Sequence, residues 1–61
     1  MTAEELRKSA IKLFGESGWI SRLAEALSVD RSTVHRWLNG VPIPGPVAAA
    51  LNCWLKNGLP K

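Results

Sequence analysis

Apolar residues recur along this chain at steps of three and four, with no stretch of strict alternation, and that rhythm predicts helices rather than strands. Leu6, Ala10, Leu13 and Phe14 keep helical spacing, with Arg7, Lys8 and Lys12 on the outside. Thr2-Ala3-Glu4-Glu5 ahead of them is a capping box, and Gly15 stops the helix. Ser17 is placed to cap a second helix running through Leu27. Leu23 and Leu27, four apart, share one of its faces. Val34 and Trp37, three apart, form the inner face of a short third helix that Asn39-Gly40 ends. Asp30 is expected to cap it, its carboxylate accepting from the amides of Ser32 or Thr33. Pro42, Pro44 and Pro46 exclude regular helix between the third helix and the last. Pro46 suits the first turn of a fourth helix over about residues 47–56 (46–57 at its widest), closed by Asn57-Gly58. Val47, Leu51, Trp54 and Leu55 would line its apolar stripe, and Ala48, Ala49 and Ala50 would allow close approach. The expected fold class is all-α, with four helices in one domain over residues 1–61.

The segment from Ile20 to Gly40 carries the most information. Leu23, Leu27, Val29, Val34 and Trp37 form a lattice of large apolar residues, with the small Ala24 where the two helices pass closest. Val29 sits in the connection and covers the crossing. Outside the lattice remain Arg31, Ser32, His35 and Arg36, all hydrogen-bonding, two with fixed positive charge and none acidic. Such a surface suits base edges and phosphates.

With Leu23-Ala24, Leu27, Val29, the run Asp30-Arg31-Ser32-Thr33-Val34 and Trp37-Leu38-Asn39-Gly40, the segment resembles the Cro/repressor-like, or Xre-type, helix-turn-helix family of phage and bacterial regulators. The motif spans about residues 20–40, a third of the chain, and implies a four-helix lambda-repressor-like domain. One departure is Ser28, where that family usually has glycine. A left-handed backbone at this turn would strain a non-glycine residue by roughly 1–2 kcal/mol. By size and by its ending, Pro46–Trp54, the chain is also similar to short autoregulators found beside anti-CRISPR genes in phages.

Charge sharpens the picture through its distribution. The formal net charge of the 61 residues is only +3. Five acids (Glu4, Glu5, Glu16, Glu25, Asp30) face four bases (Arg7, Lys8, Lys12, Arg22) up to Asp30. From Arg31 onward Arg31, Arg36, Lys56 and Lys61 meet no acid at all. A basic stretch is commonly a mere solvated face, so the split matters only alongside the helix pair it begins with. The single cysteine, Cys53, excludes an internal disulfide and is expected as a small packed apolar residue. A chain this short buries only about 60% of its unfolded surface, so pairing with a second copy would help its stability. No apolar run nears the roughly 20 residues a membrane span needs, and no signal peptide is evident, so a cytoplasmic setting in a bacterial or phage-infected cell is expected.

The resemblance implies that Arg31 and Ser32 are the main base-reading positions and that Asn39 binds phosphate. Arginine at Arg31 could donate two bonds to guanine, and Arg36 is the second choice; each could instead be solvated or hold phosphate. His35 could read a base or bind phosphate, more strongly when protonated, or be a plain surface residue. Thr33 faces sideways, toward a thymine methyl or toward packing. Ser21, at the start of the second helix, and Arg22 are further phosphate candidates. Asn39 has helix capping as its alternative, whereas for Asp30 capping is the leading reading and a direct DNA role the alternative. Trp19 and Trp37 are assigned to the core. Leu51, Trp54 and Leu55 are candidates for a dimer interface, with Trp54 equally placed to cover the protomer's own core.

The expectation is a sequence-specific transcription regulator of repressor type. It would bind double-stranded DNA as a homodimer on an inverted repeat, with recognition helices about 34–36 Å apart. An excisionase-like architectural factor and a protein-interaction module on the same scaffold are the alternatives. The single histidine and single cysteine are eighteen residues apart, and there is no glycine-rich phosphate loop or metal-ligand spacing. No enzyme activity, metal, cofactor or small-molecule ligand is therefore expected.

Overall fold

Helices α1 (Ala3–Phe14), α2 (Trp19–Leu27), α3 (Arg31–Leu38) and α4 (Gly45–Asn57) follow one another in the computed structural model. It describes residues 1–59, and among them there is no strand.

The capping box on α1 forms as expected. Thr2 Oγ1 accepts from the Glu5 amide at 3.1 Å, and the Thr2 amide donates back to Glu5 Oε1 at 2.9 Å. The start of α2 differs from the expected one. Gly18, not Ser17, is its N-cap, in the left-handed region at φ 73, and makes no side-chain bond to the helix. The chain must turn sharply after α1 to lay α2 against it, and glycine takes that conformation without a Cβ clash.

Two matching turns bracket α3. At the end of α2, Ser28 takes φ 58 and ψ 42, so the left-handed turn is made without glycine. The Ser28 amide donates to the Glu25 carbonyl at 3.1 Å, and the Val29 amide to that of Ala24 at 2.9 Å. At the end of α3, Gly40 takes φ 106. Its amide donates to Trp37 at 3.3 Å, and that of Val41 to Arg36 at 3.0 Å. Both are Schellman arrangements, which satisfy the last carbonyls of a helix while reversing the chain. Asp30 does occupy the N-cap of α3, but its carboxylate makes no capping bond, contrary to expectation; only its backbone carbonyl accepts, from Thr33 at 3.0 Å. The Asp30 side chain is exposed to solvent. Helix α4 begins slightly early, at Gly45, with Pro46 in its first turn.

The core is contributed by all four helices: Leu6 and Ala10, then Trp19, Leu23 and Ala24, then Val34 and Trp37, then Leu51. Helix α1 packs against each of the others, and α2 and α3 pack on each other. Ala24 is buried between them, as its small size predicted. Leu27, Val29 and Leu38 are half-buried around this centre, joined by Ile11, Ile20 and Ile43. A chain of this size has a net stability of about 3–9 kcal/mol. Truncating one fully buried leucine to alanine costs about 2–5 kcal/mol. One fully buried leucine is therefore worth a large share of the whole stability.

Helix α4 departs from expectation at two residues. Leu51 is 0% exposed within the single protomer, so it belongs to the core and has no surface left to offer a partner. Cys53 is exposed rather than packed, its Sγ accepting only from Asn57 Nδ2 at 3.6 Å. Two residues separate by about 200° around a helix, so once Leu51 points inward Cys53 must point outward. Among the described residues no helix is long and apolar enough to cross a membrane.

Candidate nucleic-acid interface

Successive residues of an α-helix turn by about 100°, so the burial of Val34 and Trp37 fixes where everything else on α3 points. Arg31, His35, Asn39, Ser32 and Arg36 then fall, in that angular order, on an outward arc of roughly 140°. All five are exposed. The arginines mark the two margins of the arc. His35, Asn39 and Ser32 lie between them. Thr33 is half-buried at the flank, turned toward packing more than toward solvent.

The arc is basic without internal compensation. Among the described residues the ion pairs lie on α1, where Glu4 Oε1 meets Arg7 at 3.6 Å and Lys8 at 4.0 Å. Neither Arg31 nor Arg36 is in such a pair. Asp30, at the N-cap, is the nearest acid in sequence. The first turns of both α2 and α3 lack an acidic residue and a side-chain cap. Their leading amides thus keep hydrogen-bonding capacity and the positive end of the helix dipole. Ser21 is exposed in that first turn of α2.

Arg22 has a role that the sequence did not disclose. Its guanidinium donates to the Phe14 carbonyl at 3.4 Å, tying α2 to the C-terminal end of α1. Remaining N–H groups stay available, since a guanidinium carries five donors. The side chain also lines a shallow recess of about 310 Å³ with Phe14, Glu25, Ala26 and Leu59. A second recess, about 210 Å³, lies among Ala3, Glu4, Arg7 and Leu38. None of the outward residues of α3 lines either one, so that arc is a convex edge.

Asn39 is the C-cap of α3 through its backbone, whose amide donates to His35 at 3.0 Å and Arg36 at 3.1 Å. Its side chain is left exposed beside His35. Trp19 and Trp37 are buried, as their core assignment required. Of the residues considered for a subunit contact, Trp54 is half-buried against the core and Leu55 is 37% exposed. Val41, which follows α3 and carried no expectation, is the most exposed large apolar residue at 47%.

Comparison with family models, curated proteins and solved structures finds no match to this chain. The chemistry of the α3 arc therefore carries the functional argument.

Proposed function

We propose that the chain is a sequence-specific DNA-binding regulator in which α2 and α3 act as a helix-turn-helix, the four helices taking the lambda-repressor-like arrangement. One observation carries the reading: α3 turns five polar side chains outward, two of them cationic, with no acid in the arc. A helix of about 10–12 Å diameter fits the B-DNA major groove, about 12 Å wide. Seated there, α3 offers Arg31, Ser32, His35 and Arg36 to base edges, with Thr33 at the margin for a thymine methyl. Ser21 and the open amides of α2 meet one phosphate strand; Asn39 and the spare donors of Arg22 meet the flanks.

The working species is a homodimer on an inverted repeat, two copies of α3 entering successive major grooves. With Leu51 inside the protomer, the subunit contact falls to the outer edges of Trp54 and Leu55. Bound across a promoter in a bacterial or phage-infected cell, the dimer would exclude polymerase and act as a repressor.

Selection from a random pool of duplexes tests this. The expected product is an inverted repeat bound with a steep salt dependence, since each phosphate neutralised releases counterion. Binding no tighter than to random competitor would end the proposal. For the subunit contact, Trp54→Ala should sediment as a monomer with much weaker binding; an undiminished dimer would place the contact elsewhere.

A further inference from the structure

Resting on that reading, we infer that His35 is a specificity-determining residue whose contact with the groove changes with pH. On the outward arc of α3, His35 lies between Arg31 and the outermost pair Asn39 and Ser32, as close as Arg36 is to the direction opposite the buried Val34 and Trp37. Of the outward side chains on this arc only the imidazole can exchange a proton under mild conditions.

The groups around it leave the imidazole without a competing partner. On its own helix Arg31 and Arg36 flank it, and Asp30 stands at the N-cap. From α1, Glu4 and Arg7 line the recess that includes Leu38, and Glu4 is engaged with Arg7 and Lys8. From α2, Arg22 is turned to the Phe14 carbonyl, and Glu25 lines the other recess, with Phe14 and Arg22. Among the described residues none forms an ion pair or hydrogen bond with the His35 imidazole.

The two protonation states demand different bases. An imidazolium is a donor at both nitrogens, which suits guanine, whose major-groove edge offers only the acceptors N7 and O6. A neutral ring has one donor and one acceptor, and so accommodates adenine as readily. Lowering the pH should therefore tighten binding and sharpen a guanine preference at one position of each half-site.

The test is parallel selection from a random duplex pool at pH 6.0 and pH 8.0, with the wild-type protein and with His35→Gln. Exposure of His35 makes the variant neutral to folding, which a thermal melt verifies. Every other ionisable group is retained in the variant, so subtracting its profile removes their contribution. The wild type should prefer guanine at that position at pH 6.0 by about tenfold more than at pH 8.0, the size of one good base contact. His35→Gln should show one preference at both pH values. Identical wild-type preferences at the two pH values, or a pH effect that survives in His35→Gln, would overturn the inference while leaving DNA recognition standing. Enrichment of no sequence at either pH would remove the DNA reading as well.

Discussion

The outer faces of α1 and α3 are both rich in cations, yet they are built for different ends. On α1, Arg7 and Lys8 share the carboxylate of Glu4, and Glu5 closes the capping box with Thr2. On α3, Arg31, His35 and Arg36 have no acidic partner among the described residues, and the N-cap carboxylate of Asp30 leaves the leading amides alone. The first face spends its hydrogen bonds on its own helix. The second holds them in reserve. Counting bases separates these faces poorly; asking what each base already touches separates them well.

The largest effect should come from the core on which both faces depend. Val34 is 0% exposed, so Val34→Asp would bury an unpaired carboxylate costing more than a domain of about 3–9 kcal/mol tolerates. Circular dichroism should show an unfolded chain at 25 °C; a cooperative melt near the wild-type temperature would mean that the packing is wrongly described.

Next comes the contrast itself. Replacing Arg31 and Arg36 together by alanine should weaken binding to a selected duplex by about 100-fold or more, at 1–3 kcal/mol for each base contact. Replacing Arg7 and Lys8 together should change it less than about threefold, since exposed pairs contribute little. Equal losses from the two pairs, measured by fluorescence anisotropy, would erase the distinction between the faces.

Smaller changes adjust the helix ends. Ser28→Gly should raise stability by up to about 1 kcal/mol, because Ser28 holds φ 58 against its Cβ. Denaturant titration reads this directly, and a loss would show that the turn is unstrained. Thr2→Ala should lower stability by about 1 kcal/mol without altering DNA affinity. The Thr2 amide, and then its hydroxyl, hold the Glu5 carboxyl below the ordinary glutamate range. A depressed carboxyl contributes stability above its unfolded value, and that part is lost as pH falls through the folded one. Wild type should therefore lose its small advantage over Glu5→Gln as acid is added below about pH 4.3. A constant difference in melting temperature would contradict this.

Much of the architecture was legible in the sequence because local signals agreed. The capping box, the steps of three and four, and the prolines after Gly40 each point to one helix boundary, and all four helices are present. Three of the features that escaped did so for a common reason. Whether Asp30 caps α3 depends on a side-chain rotamer, not on residue type. Leu51 and Leu55 sit on one apolar stripe of α4, and only its packing on α1 decides that Leu51 is sealed and Leu55 left half-open. The bond from Arg22 to Phe14 links two helices whose relative placement no local pattern specifies. For the site, the outward set on α3 was readable once Val34 and Trp37 were assigned inward. Its angular order, with the arginines at the margins and His35 between them, needed the helix to be oriented first.

The most direct measurement is amide and side-chain chemical-shift mapping of the protein on titration with a selected duplex at low ionic strength. The largest changes should fall at Arg31, Ser32, His35 and Arg36, with a second group at the start of α2 around Ser21, and little along residues 4–12. Maximal changes on the outer face of α1 or along α4, with α3 undisturbed, would contradict the proposal that the unpaired cationic edge of α3 is the binding surface.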